Sequence, residues 1–227
     1  MSAAGLPEGA SGWLHDFGRL VIGRYCFRPA FRIRVHGRHR VPRTGPVLVI
    51  ANHSSMVEPG VIFGMLPRRS VFLVKEEMFT GFIGRFLRRI GQVPVRRGEP
   101  DRAPLLTTAK VLRDGGVVGV FPEGHRGAGD VTNAERGAAW LVRSCGDNGV
   151  VVLPVATRGT LRPAGERRRF RPRVDVLVGE PFTVEVGKGR AGLEEGTERL
   201  RSELAALVST LDETRAALPR TKQKAKL

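Results

Sequence analysis

Residues 46–53 read PVLVIANH: six residues from Pro46 to Ala51 without a charged side chain, stopping at Asn52-His53. A short, unbroken apolar run suits a strand buried on both faces, and it is far below the ~20 residues that cross a bilayer. The same kind of run returns at Val117–Phe121, which stops at Pro122-Glu123-Gly124-His125-Arg126, and at Val150–Val155. Val174, Val176 and Val178 mark a fourth strand, and Phe31, Ile33 and Val35 share one face of an alternating stretch over 31–44. Helical patterns lie between these strands. Met78, Phe79, Phe82, Ile83, Phe86, Leu87 and Ile90 form one stripe, read as a core face or as a membrane-facing one, and Gly91 is placed to cap it. Residues 101–114 read as a helix stopped by Gly115-Gly116. Thr132-Asn133-Ala134-Glu135 is a capping box predicted to open a helix through about Ser144, and Leu200, Leu204, Leu207 and Leu211 lie on a C-terminal helix beginning near Leu193.

Strands that alternate with helices imply parallel pairing through crossovers. The fold class is therefore α/β: a single domain with a largely parallel or mixed central sheet flanked by helices. Sites in such sheets gather at the carboxyl ends of the strands. The two polar clusters that follow buried strands directly, Asn52-His53 and Pro122 to Arg126, are thus expected at one edge.

The chain is 227 residues long, enough for one large domain, and its 41% hydrophobic content excludes a wholly disordered protein. Two cysteines exclude a disulfide scaffold. The 38 basic residues outnumber the 22 acidic ones, giving a net charge of +16 that favours an anionic partner. With 6% aromatic residues and no aromatic-interleaved basic motif, nucleic acid is not the expected partner. No run is long enough to span a membrane, and the N-terminus has neither the charged start nor the apolar core of a signal peptide, so a cytoplasmic setting is expected. Residues 12–31 carry Trp13, Phe17, Leu20 and Phe27 interrupted by Arg19, Arg24 and Arg28. That segment reads either as a helix docked on the core or as an interfacial helix lying in an anionic membrane surface. The expected organisation is a tail and N-terminal interfacial helix over 1–31, one main domain over 32–213 and a basic tail over 214–227.

Four segments carry chemistry. His53 and Glu58 are five positions apart, and a turn running into a helix would bring them together. A carboxylate that accepts one imidazole N–H leaves the other ring nitrogen as a base. Gly91-Gln-Val-Pro-Val-Arg-Arg97-Gly98 ends a short strand with two arginines, a suitable phosphate clamp. Phe121-Pro-Glu-Gly-His-Arg126 offers a carboxylate at Glu123, a flexible backbone at Gly124 and a guanidinium at Arg126. Pro154 sits inside an apolar strand, which predicts a bulge or an edge. A Ser54 or Ser55 nucleophile lacks an opposed base and a G-x-S-x-G elbow. His53, Glu58, Glu123 and His125 lack zincin spacing, and Cys145 reads as core.

In this order, NHSSMVE (52–58), GQVPVRRG (91–98), FPEGHRG (121–127) and the VVLPVA strand (151–156) resemble the four motifs of the glycerolipid acyltransferases. The likeness spans about residues 45–180. It departs at Glu58, where the family carries aspartate, and at His125, where it usually carries threonine. The resemblance implies acyl transfer without a cofactor, from acyl-CoA or acyl carrier protein to the lysophospholipid 1-acyl-sn-glycerol 3-phosphate, forming phosphatidic acid at the cytoplasmic face of a membrane; the alternatives are another acceptor, such as glycerol 3-phosphate, a different lysophospholipid or a glycolipid, and an inactive lipid-binding member of the family. It implies that His53 is the general base and Glu58 its partner. It further implies that Arg97, Gly98, Glu123, Gly124 and Arg126 hold a phosphorylated acceptor, and that Pro154 shapes the site.

Overall fold

In the computed structural model, which describes residues 5–96, 102–146, 149–161 and 170–217, the apolar runs become the strands of one sheet. In chain order the elements are α1 (Gly12–Leu20), a π-helical stretch (Val21–Phe27), α2 (Arg28–Ala30), β1 (Arg32–His36), β2 (Val47–Ala51) and α3 (Val57–Met65). Next come β3 (Ser70–Lys75), α4 (Gly81–Arg89), β4 (Val93–Val95), α5 (Ala103–Arg113) and β5 (Val117–Val120). The chain continues through α6 (Gly137–Ser144), β6 (Val151–Arg158), β7 (Arg173–Val178) and α7 (Gly189–Ala217).

The seven strands are ordered β1-β7-β6-β2-β5-β3-β4. Strands β2 to β6 run parallel to one another, while β7 is antiparallel to β6 and β1 follows β7. The sheet is therefore mixed, with every strand that precedes a chemical motif ending at the same edge. Because β2 is buried at all five positions, both faces need helical cover. Helices α5, α6 and α7 supply one layer through Ala109, Leu112, Leu141, Leu200 and Leu204. Helix α3, with α1 and the end of α4, supplies the other through Val61, Ile62, Leu66 and Ile90.

The N-terminal segment is built into this second layer. His15 is fully buried: its Nε2 accepts from the Ser70 N–H at 3.2 Å, so its Nδ1 is the donor to the Ile90 carbonyl at 2.7 Å. Gly18 lies against the Phe86 ring, where a Cβ would come within 2.9 Å. Gly23 and Gly64 bring the π-helical backbone onto α3, since a Cβ on Gly64 would meet the Gly23 Cα at 2.5 Å. One face of the segment is thus docked. Trp13, Phe17, Leu20 and Tyr25 remain exposed on the other, whereas Phe27 turns inward.

Several expectations need correction. The strand in 31–44 stops at His36, where Gly37 turns in the left-handed region at φ 72°. The stripe over 78–90 divides: Phe79 and Ile90 are buried, but Phe82 and Ile83 are exposed. The capping box at Thr132–Glu135 opens no helix. The Glu135 N–H goes instead to the Pro122 carbonyl, and α6 starts later, at Gly137. Helix α7 begins at Gly189, ahead of Leu193, and runs to Ala217. Arg215 there reaches Asp175 of β7, a buried carboxylate that also accepts from Arg173 at 2.9 Å. The rest of the basic tail lies outside the described residues. Pro154 is on an interior strand, where a missing N–H would normally break a ladder. It is tolerated because the β7 side is interrupted there. Val152 pairs with Phe182, Gly179 donates to the Pro154 carbonyl at 2.9 Å, and the regular ladder resumes only at Val155.

Candidate active site

The parallel strands deliver three chain segments to one edge. Asn52-His53 leaves β2, Pro122–Arg126 follows β5, and Gly159-Thr160 leaves β6. Side chain to backbone bonds, rather than sequence adjacency, hold these ends together. Asn52 is fully buried and staples β2 to β6: its Oδ1 accepts the Thr157 N–H at 2.7 Å, and its Nδ2 donates to the Thr157 and Gly129 carbonyls, each at 3.1 Å. The His53 N–H donates to Glu123 Oε1 at 2.6 Å, and the His53 carbonyl accepts from the Gly127 N–H at 3.0 Å. Both backbone groups of the histidine are therefore fixed by the loop after β5.

The Glu58 carboxylate at the start of α3 folds back onto this turn and is fully buried. Its Oε2 accepts from His53 Nδ1 at 3.1 Å, from the Ser54 N–H at 2.7 Å and from the Ser55 N–H at 3.0 Å. Its Oε1 accepts from Ser54 Oγ at 2.5 Å and from Thr160 Oγ1 at 2.6 Å. Burial opposes the charged form. The donated bonds from His53, Ser54, Thr160 and Ser55 outweigh it and hold the carboxyl below its usual range. An ionised Glu58 can only accept, so Nδ1 carries the proton and the Nε2 lone pair is left available. Nε2 has no protein partner among the described residues. The Phe121 ring lies on one side of the imidazole, with centroids 4.4 Å apart at 31°.

Glu123, read from sequence as part of the acceptor clamp, is nearly buried with one oxygen committed to the His53 backbone. Burial, aided by nearby Asp130 and Glu58, raises its pKa against the pull of that bond. Gly124 turns at φ 69°, and a Cβ there would come within 2.8 Å of Glu135 Cγ. Arg126 is exposed and, among the described residues, forms no ion pair. Pro154 pairs in register with Ile50, inside the sheet and short of its edge. Arg97 and Gly98 lie outside the described residues. The strand before them, β4, ends at the same edge, and Arg96 pairs there with Glu76.

Ser54 spends its hydroxyl on Glu58, so it is a support for the carboxylate and not a nucleophile. Cys145 is buried, and burial raises its thiol pKa, keeping it inert. Two contributors escaped sequence reading. Thr160 lies 102 positions from Glu58 with no motif around it, and the bond-making of Asn52 needed the β2–β6 pairing to be known.

Comparison with known proteins agrees with this architecture. The acyltransferase family model matches residues 32–158, from the first residue of β1 to the last of β6. A curated relative, the 1-acyl-sn-glycerol-3-phosphate acyltransferase of Bacillus subtilis, is 28% identical over 153 residues, covering 66% of this chain and 73% of that protein. The zebrafish (Danio rerio) lysophosphatidylcholine acyltransferase 2 is 32% identical over 133 residues, covering 54% of this chain but only 25% of its own length. Among solved structures, the Thermotoga maritima 1-acyl-sn-glycerophosphate acyltransferase PlsC superposes with a TM-score of 0.63 at 23% identity, covering 92% of this chain and 80% of that one, a likeness of fold. With the family model spanning more than half its length and all four motif segments in order, the chain belongs to the acyltransferase family.

Proposed function

We propose that this protein transfers a fatty acyl group from a thioester donor, acyl-CoA or acyl carrier protein, to the 2-hydroxyl of 1-acyl-sn-glycerol 3-phosphate, yielding phosphatidic acid. The observation that carries the reading is the His53–Glu58 pair, with Nδ1 tied to a buried carboxylate and Nε2 left without a protein partner among the described residues. Nε2 takes the proton of the acceptor hydroxyl as its oxygen attacks the thioester carbonyl. Glu58 stabilises the imidazolium that forms. Collapse of the tetrahedral intermediate breaks the C–S bond, and the thiolate leaves with the proton returned from Nε2. No cofactor is needed for this balance. Arg126, and Arg97 with Gly98 from the second motif, supply guanidinium and backbone groups for the acceptor phosphate. Gly124 permits close backbone approach. Glu123 serves by fixing the His53 backbone, and Pro154 supports the strand beneath.

The proposed acceptor carries a long chain and resides in a bilayer. Among the described residues no helix is long and apolar enough to cross a membrane. We place the docking surface on the exposed face of the N-terminal segment, with Trp13, Phe17, Leu20 and Tyr25, beside Phe82 and Ile83 of the neighbouring α4. Purified protein, labelled acyl-CoA or acyl carrier protein, and a panel of lysolipid acceptors test the reading directly. Labelled phosphatidic acid is the expected product. Transfer only to acceptors without a phosphate, or none to any acceptor, would overturn it.

A further inference from the structure

Between the N-terminal segment, β1 and α3 lies a cavity of about 410 Å³, within the usual range for a small-molecule site. It is separate from the His53 turn in its lining: none of the described residues around it belongs to the motifs described above. Among the described residues, four arginines line it, Arg19, Arg24, Arg28 and Arg38, and no acidic residue does. The floor is apolar, with Phe27 and Met65. Phe27 can turn inward because Gly60 leaves room, a Cβ there being 2.4 Å from the ring.

Arg19 is partly occupied, donating to the Leu66 carbonyl at 2.8 Å, yet its buried Nε has no partner among the described residues. Arg24, Arg28 and Arg38 are exposed and form no ion pair among the described residues. A group of unmatched guanidiniums around an apolar floor suits a ligand that is anionic at one end and hydrocarbon at the other. Leu20 both lines the cavity and belongs to the exposed apolar face of α1, so the cavity borders the surface assigned above to the membrane.

We propose that this cavity binds the phosphate headgroup of an anionic glycerophospholipid of the bilayer, as a docking site distinct from the acceptor site. Its phosphate meets Arg24, Arg28 and Arg38, and the start of its hydrocarbon lies along Phe27, Met65 and Leu20. The proposal rests on the membrane-docking part of the proposed function.

The test is flotation of the full chain with phosphatidylcholine vesicles, with and without phosphatidylglycerol. The variant Arg24→Gln/Arg28→Gln/Arg38→Gln should lose at least tenfold in affinity for the anionic vesicles and keep wild-type affinity for the neutral ones. A control of equal charge change on the opposite helical layer, Arg113→Gln/Arg190→Gln/Arg199→Gln, should stay within threefold of wild type on both. Val35→Trp fills the cavity without altering charge. With its melting temperature retained, it should lose at least fivefold on anionic vesicles only. Equal losses from the two triple variants, or wild-type binding by a folded Val35→Trp, would overturn the pocket and leave membrane docking standing. Absence of wild-type binding to either vesicle would overturn both. Displacement of the wild type from anionic vesicles by millimolar glycerol 3-phosphate would overturn the lipid assignment in favour of a soluble phosphate ester.

Discussion

Replacing Glu58 by glutamine changes one charge and almost nothing else. The amide can present its oxygen to His53 Nδ1 and the Ser54 and Ser55 N–H groups, and its NH₂ to the hydroxyls of Ser54 and Thr160, which can turn to accept. The five contacts therefore survive in geometry. What disappears is the attraction between a carboxylate and the imidazolium formed as the acceptor is deprotonated. At about 4 Å and an effective dielectric near 20, two unit charges attract by about 4 kcal/mol. Imidazolium charge is spread over the ring, so roughly half to all of that is lost, and turnover falls roughly 30- to 1,000-fold. Stability falls modestly: the fold favours the carboxylate over its neutral form, and the amide forfeits that preference while costing less to desolvate. The assay is thiol release from acyl-CoA in the presence of lysolipid acceptor, paired with a thermal melt. A folded Glu58→Gln variant within threefold of wild-type turnover would refute the charge argument. A large drop in melting temperature would show that Glu58 serves the fold before the chemistry.

Asn52→Ala strands the Thr157 N–H and carbonyl in a buried place and should cost roughly 2–4 kcal/mol, lowering the melting temperature by about 5–15 °C in a calorimetric scan. Arg126→Ala should raise the Michaelis constant for a phosphate-bearing acceptor about tenfold or more and leave that for a monoacylglycerol unchanged, as steady-state kinetics would record. Burial holds the His15 imidazole below its ordinary 6.5, so the folded state binds fewer protons there than the unfolded state. That contribution is complete above about pH 6.5 and declines as the pH falls below it. Urea melts at descending pH should show the decline in wild type and a flatter limb in His15→Gln. The matching loss from Glu58, whose pKa is also depressed, belongs below about pH 4.5, because its reference value is 4.5.

The sheet was legible because its inner strands are unbroken apolar runs, and the site because two such runs stop at polar clusters. Local capping rules misplaced the start of α6, since the Glu135 N–H found a partner across the fold, at Pro122, before a helix could claim it. Strand β3 escaped notice: its apolar stretch, Val71–Val74, is short and bounded by Arg68-Arg69 on one side and Lys75-Glu76-Glu77 on the other. Residues 12–31 left two readings open, and the structure bears out docking on the core for one face of the segment. The small faces at Gly18 and Gly23 and the buried His15 dock the segment, while its large aromatic residues stay outside. Amphipathic spacing reports that a helix has two faces, but only the neighbouring elements decide which is covered. Thr160 could not be found at all, because no periodicity links residues joined only by the meeting of two strand ends.

The double grip on the His53 main chain has a further consequence. Its N–H is held by Glu123 and its carbonyl by Gly127, so the turn does not depend on the ring it carries. Trimming His53 to glycine should leave the turn standing around an imidazole-shaped vacancy, walled by the Phe121 ring and floored by the Glu58 carboxylate. Free imidazole added to the solvent can enter such a vacancy, donate to Glu58 and offer its second nitrogen where Nε2 stood. Chemical complementation of this kind, with activity climbing and saturating as imidazole is added and then tracking the basicity of substituted imidazoles, would turn a fixed side chain into an exchangeable reagent.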